Sequence, residues 1–343
     1  ALVGALLFLV GCNASDPQNT LSAIGTVAVK QQDLFWTVFR WAAIVFVVVE
    51  ALLLFTLFKF RARPGQPEPH QTHGNTRLEI AWTIAPVLVL LTCAVPTVSL
   101  LWELATPQPV SLEVKVTGHQ WWWEFEYPTL GVTTGNELHI PQGESVTFRM
   151  TSADVIHSFW VPKLGGKLDV VPGKINTFWL RGDDPGMFYA QCAELCGIQH
   201  ANMKFRVVVQ PRDQFEAWVA AQKTAPATPD PSSLEGKGLA AFRNPANQCI
   251  ACHTVQGVAP GKVGPNLSHV GSRGTIAAGV IDNTPANLEK WITNTQAVKP
   301  GAMMPVFGCG QPPAYANGVP ASPANCLSGD DIKAIAAYLT SLK

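Results

Sequence analysis

Two apolar runs constrain this chain more than any other feature. Trp36 to Phe60 reads WTVFRWAAIVFVVVEALLLFTLFKF, and Ile80 to Leu101 reads IAWTIAPVLVLLTCAVPTVSLL. Each supplies about the 20 residues a helix needs to cross a hydrocarbon core at a rise of 1.5 Å per residue. A pair of buried helices in a soluble domain would need a matching core nearby, and none follows. Only 14% of the residues are charged, as expected when part of the chain sits in lipid. The sequence therefore predicts a two-helix membrane hairpin, with spans over 34–61 and 78–104. The loop between them, 62–77, is flanked and lined by Lys59, Arg61, Arg63 and Arg77, which marks it as cytoplasmic. Both chain ends then face outward, into an oxidising compartment that permits disulfides and covalent haem attachment. The formal net charge is zero, which excludes nucleic acid as a partner, because that binding requires a basic excess.

Beyond Trp102 the texture changes to short runs such as VSLEVKVTG, QWWWEFEY, HSFWVPKLG and KFRVVVQP. They alternate apolar with polar residues and are separated by Gly, Pro and Asp turns, which predicts an all-β sandwich or barrel over 105–220. RDQFEAWVAAQ reads as a short closing helix. The stretch 221–232, rich in Pro, Ala, Thr and Ser, reads as a semi-rigid linker. From 233 to 343 the pattern is helical, with Thr284 or Pro285 starting one helix and Ser328 capping another. This predicts an all-α domain of roughly 110 residues.

Residues 191 to 203, QCAELCGIQHANM, hold two thiols, an imidazole and a thioether at the spacing Cys192-x3-Cys196-x3-His200-x2-Met203. Cys-x3-Cys is compatible with zinc, but a thioether is a poor zinc partner. A thioredoxin-like pair would be Cys-x-x-Cys at a helix start. A plain disulfide would leave His200 and Met203 without a role. Thiolate, imidazole and weak thioether are the ligands of electron-transfer copper. A second thiolate points to two coppers bridged by both sulfurs, and one further imidazole is then needed. His157, beside Phe159 and Trp160, is the candidate, although a lone His among aromatics is more often a satisfied core residue.

The segments DVIHSFWVPKLGGKLDVVPG and MFYAQCAELCGIQHANM together resemble the CuA domain of subunit II of haem–copper cytochrome c oxidases, a cupredoxin preceded by a two-helix hairpin. The likeness runs from about 30 to 220. It implies that Cys192 and Cys196 bridge a binuclear copper centre, that His157 and Met203 complete one copper, and that His200 with the carbonyl of Glu194 completes the other. It also implies that the Glu194 side chain faces a magnesium ion at the boundary with subunit I. Quinol-oxidising relatives share the fold without the ligands, so a cytochrome c donor is implied here. In GHQWWWEFEY, Trp122 points opposite to Trp121 and Trp123; the resemblance makes Trp121 the electron entry point, against the alternative of simple aromatic packing. Asp169 matches an acidic docking position. Glu79 matches a glutamate at the mouth of the K proton pathway, and Glu50, costly within a span, is expected to contact subunit I.

The tail contributes CIACH, with Cys249, Cys252 and His253 spaced for covalent attachment of haem c and an axial imidazole. Zinc binding or redox exchange could use the same residues, but the outward location favours haem. GPNL at 264–267 follows as in class I cytochromes c. The sixth ligand is expected from KPGAMMP; such cytochromes place it directly before Pro, which favours Met304 over Met303. Trp291 and Pro265 are expected to pack against the haem.

The eight cysteines then partition. Residues 1–12, ALVGALLFLVGC, resemble a signal-peptide remnant ending in a lipobox, with Cys12 the lipidated residue and 13–33 an outward-facing segment. Cys93 lies within a span. Cys309 and Cys326 flank a Gly/Pro-rich insertion and are expected to form a disulfide. The resemblance thus implies the second subunit of a caa-type oxidase in a bacterial inner membrane, with copper and haem domains on the periplasmic side. Electrons from a cytochrome c or bc-type complex would pass through haem and CuA to the haems of subunit I, beside subunit III, for oxygen reduction with proton pumping. The rivals are a CuA-containing subunit of a nitric oxide reductase and a membrane-tethered copper-binding protein with an accessory haem.

Overall fold

The computed structural model describes residues 16–310 and 326–343, apart from positions 69, 107 and 110. The lipidation expected at Cys12 and most of the insertion between Cys309 and Cys326 lie outside the described residues. The chain divides into two compact units, residues 29–106 and the remainder.

The first unit is built from helices α1, Thr26–Lys59, and α2, Thr76–Ala105. The Asn75 side chain caps α2 by accepting from the amides of Arg77 and Leu78, both at 3.2 Å. Glu79 returns the contact, accepting the Asn75 amide at 3.2 Å. The apolar side chains point outward; Phe46 is 64% and Leu90 66% exposed, the arrangement of a surface that lipid covers. Hydroxyls within the spans donate back to the helix: Thr56 to the Leu52 carbonyl at 2.7 Å and Thr97 to that of Cys93 at 2.7 Å. That internal satisfaction is what a membrane span requires. Lys30 and Glu103 form an ion pair between the two helices. Helix α1 begins well before the apolar run, because TVAVKQQD continues the helix through the polar Lys30 to Asp33, which interrupts the hydropathy; hydropathy reports the span, not the helix.

In the second unit, ten strands form the sandwich: β1 Leu112–His119, β2 Trp122–Tyr127, β3 Val132–Gly135, β4 Glu137–Pro141, β5 Ser145–Ser152, β6 His157–Trp160, β7 Lys167–Val170, β8 Asn176–Arg181, β9 Gly186–Cys192 and β10 Lys204–Gln210. One sheet runs β3-β2-β1-β5-β8 and the other β4-β10-β9-β6-β7. Strict alternation in β2, with Trp123, Phe125 and Tyr127 fully buried, aims its aromatics between the sheets. Phe159 and Phe205, on the same sheet, pack side by side at 4.8 Å between ring centroids, and Trp123 of the facing sheet stands edge-on to Phe159 at 5.8 Å. Helix α3, Arg212–Lys223, closes this domain.

The tail forms α4 Leu234–Arg243, α5 Cys249–Cys252, α6 Pro285–Thr293, α7 Thr295–Val298 and α8 Gly329–Ser341. Ser233, Thr284 and Ser328 cap α4, α6 and α8, each accepting a backbone amide three residues on. Helices α4 and α8 cross so closely that a Cβ at Gly238 would collide with the Ala334 carbonyl. Phe242 and Tyr338 pack across that crossing at 5.6 Å. Cys309 and Cys326 are disulfide-bonded at the base of the insertion.

Candidate functional site

Three adjacent strand ends and one short helix bring the sequence-picked ligands together. His157 opens β6, Cys192 ends β9, Cys196 lies in the following turn, and His200 starts a 3-10 turn, His200–Asn202, that delivers Met203 to β10. The two thiol sulfurs are 3.7 Å apart. Cys192 Sγ lies 3.9 Å from His157 Nδ1 and 3.3 Å from the Glu194 carbonyl. Cys196 Sγ lies 3.7 Å from His200 Nδ1 and 3.8 Å from Met203 Sδ. The set is closed from solvent: Cys192, Cys196, His157 and Met203 are all buried. Two soft sulfurs flanked by imidazoles and a thioether form a donor set suited to copper.

The electrostatics favour anionic sulfur. The hydrogen bond from Cys196 holds the Cys192 thiol down to about 3, against its burial. Cys196 is pushed up by the same contact, so the pair carries one proton between them. For His157, burial works against the charged imidazole, but Asp154 and Cys192 outweigh it and raise the group. Asp154 accepts from His157 Nε2 at 2.8 Å, which turns Nδ1 toward the sulfurs. Sequence reasoning passed over Asp154, and its only signal was a carboxylate three residues before a candidate ligand. Gly118 of β1 backs the same ring: a Cβ there would lie 2.8 Å from His157 Cδ2.

The other sequence-picked residues gather around a cavity of about 370 Å³ in the tail domain. Cys249, Cys252, His253, Pro265, Trp291 and Met304 all line it. His253 Nδ1 is paired with the Pro265 carbonyl at 2.9 Å, so Nε2 is the nitrogen left for a metal. Burial lowers this imidazole and keeps it neutral, the form that ligates. Gly264 lies against it, where a Cβ would fall 2.5 Å from His253 Cε1. Met304 is partly buried against the core and its carbonyl accepts from Thr295 Oγ1 at 2.9 Å, whereas Met303 is 55% exposed.

The cavity fits a haem by one further observation. Arg273 lines it with its Nε buried and, among the described residues, without a hydrogen-bond partner. Burial pushes its guanidinium down to about 10 against the pull of Glu137, and although Nη2 donates to the Asn266 carbonyl, the buried Nε is left without an acceptor. Arg273 Nε would donate to a carboxylate of a haem held there.

Trp121 joins the two places. It is 4% exposed, lines the cavity, and donates from Nε1 to the Cys196 carbonyl at 3.0 Å. Gln120 Nε2 reaches the same carbonyl at 2.7 Å. Trp122 points to the other side of the strand, stacked on His119 at 4.2 Å, and also lines the cavity. Glu79 is distant in kind: it sits at the start of α2 in an exposed capping role. Asp169 lies on β7 paired with Ser158. The Glu194 side chain is exposed, and among the described residues no acidic cluster joins it into a cation site.

Fold and site together define a membrane-anchored protein carrying a cupredoxin-type metal domain and a c-type haem domain. Residues 18–100 match the transmembrane domain of cytochrome c oxidase subunit II, 131–211 its periplasmic domain, and 236–343 the cytochrome c family. Cytochrome c oxidase subunit 2 of Alkalihalophilus pseudofirmus is 40% identical over 98% of this chain and 94% of the relative. The subunit 2 of Bacillus sp. PS3 is 38% identical over 83% and 80%. The crystallised periplasmic domain of cytochrome oxidase subunit II from Bradyrhizobium japonicum is 34% identical, with 34% of this chain and 97% of that one covered at a TM-score of 0.34. This chain belongs to the cytochrome c oxidase subunit II family, with a fused cytochrome c domain.

Proposed function

We propose that this chain is the electron-entry subunit of a caa-type cytochrome c oxidase. The observation that carries the reading is the pair of sulfurs 3.7 Å apart, ringed by His157, His200 and Met203 and tied through Trp121 to the haem cavity. Cys192 and Cys196 would bridge two coppers, with His157 and Met203 on one, and His200 with the Glu194 carbonyl on the other. Cys249 and Cys252 would hold haem c covalently, between His253 and Met304. Bound there, each group takes up and releases one electron at a time.

The residues of this chain do the rest of the work. Burial excludes water from the sulfurs, so little solvent must reorganise when charge arrives. Asp154 orients His157, and the Pro265 carbonyl orients His253. Trp121 lies between the cavity and the Cys196 carbonyl and is the proposed conduit. Onward delivery would be to the haems of subunit I, beside subunit III, where oxygen is reduced and protons are pumped, with Glu79 at the K-pathway mouth and Glu194 toward a magnesium ion. The donor would be a cytochrome c or a bc-type complex. Both redox domains would face the periplasm, in keeping with the basic loop on the opposite side. Purification of the complex and its copper content per chain test the reading. Two coppers lost together in Cys196→Ser, with oxygen uptake, are expected; full copper and activity in that variant would refute it.

A further inference from the structure

Three consecutive residues, Ala277, Ala278 and Gly279, hold φ angles of 54°, 60° and 76°. Placing an alanine in the left-handed region costs roughly 1–2 kcal/mol. Such a run persists only where its surroundings over-determine it. Here all three carbonyls are taken. Those of Ala278 and Gly279 accept from the sandwich, from the Lys204 amide at 3.1 Å and from Arg206 Nη2 at 3.3 Å. That of Ala277 accepts from Lys299 Nζ at 3.4 Å.

Lys299 then reaches across to the sandwich, where its Nζ donates to the Trp121 carbonyl at 2.7 Å. Only 4% of the residue is exposed. A lysine ammonium is among the groups least often buried, because desolvating it is costly unless its protons are shared with acceptors. The next residue is held as well: the Pro300 carbonyl accepts from Gln199 Nε2, beside His200. The loop leading to Met303 and Met304 is thus fastened to the copper domain at two successive residues, one of them on the tryptophan that contacts Cys196.

We infer that Lys299 is a positioning residue that clamps the haem domain onto Trp121 and closes that face of the copper domain to any other electron donor. The inference rests on the electron-entry reading above. The transfer it positions moves one electron from reduced haem iron to the oxidised copper pair, with no bond made and no proton moved. An external reductant, ascorbate with a small mediator, resupplies the haem.

Two measurements on the intact complex test it. Amine-reactive labelling of the wild type should modify Lys299 at least about tenfold more slowly than the exposed Lys262, as a protected site opens only rarely; equal labelling would overturn the clamp. This readout needs neither transfer nor metal, so it separates failure of the clamp from failure of the electron-entry reading, which absence of copper alone would bring down. Second, Lys299→Met should slow haem-to-copper transfer after flash photoreduction by about tenfold or more, since small misplacements cost heavily. Both absorption spectra should stay unchanged, Lys299→Arg should recover most of the rate, and a soluble reduced cytochrome c should now reduce the copper pair directly. An unchanged transfer rate with both spectra intact would overturn the proposal.

Discussion

A single methyl group tests the geometry around His157. Gly118 packs so close to the imidazole that an added Cβ would lie 2.8 Å from its Cδ2. Gly118→Ala should therefore cost roughly 1–3 kcal/mol in stability by overpacking. It should also perturb the copper absorption bands more than any change in folding, because the ring must tilt away from Cys192. Thermal unfolding alongside the visible spectrum checks both. At the other site, burial separates two neighbouring methionines. Met304→Leu should lower the haem potential and abolish the thioether absorption band, since a thioether ligand raises the potential. Met303→Leu, at a 55% exposed position, should leave both unchanged. Redox titration of the two variants decides the assignment.

Among the elements, β4 carries a second junction between sandwich and tail. Glu137 accepts the Gly274 amide at 3.0 Å and pairs with His139 Nε2 at 3.1 Å, while His139 stacks on Trp218 at 4.2 Å. Burial pushes the Glu137 carboxyl upward, but the bonds from His139 and Gly274 outweigh it and hold the group below the ordinary carboxylate value of 4.5. A depressed acid stabilises the folded form above its unfolded value, and that contribution fades as the pH falls through the lowered one. Docking of the tail should thus weaken progressively below about pH 4.5. Glu137→Gln should weaken it by about 1–3 kcal/mol near neutrality and flatten the acid response. Hydrogen exchange at Gly274 as a function of pH measures both.

Several of these elements are legible in the sequence. Strands β1, β2, β5 and β10 announce themselves by alternation, and the caps at Thr284 and Ser328 by their residue type. Strands β3 and β7 do not: VTTG and KLDV are only four residues each, too short for their pattern to stand out from the turns that flank them. The candidate ligands were legible because copper and haem sites use particular donors at particular spacings, and the sequence carries such donors at such spacings. Glu137 and Lys299 were not, because each acts through a partner far along the chain, Gly274 and Trp121; Asp154, three residues before His157, carries no signal beyond that short spacing. Lys299 reads as one more loop lysine until the fold brings it to Trp121, and Ala277–Gly279 offers no sign of its left-handed path.

For the molecule as a whole, the cytochrome c domain is covalently joined to the cupredoxin domain, and the contact between them is made by buried groups such as Lys299 and Trp121. Tethering replaces a diffusional encounter by a fixed local concentration. Oxygen uptake driven by a small neutral mediator should therefore change less than about twofold as ionic strength rises through the range where the Debye length falls to ~8 Å. A freely diffusing donor would show a steep decline. The sulfur pair is tested most directly by copper content per chain together with the electron paramagnetic resonance spectrum of the oxidised complex. Two coppers per chain and a hyperfine pattern from one unpaired electron shared equally over both nuclei are expected. A single copper per chain, with the pattern of one isolated nucleus, would contradict this.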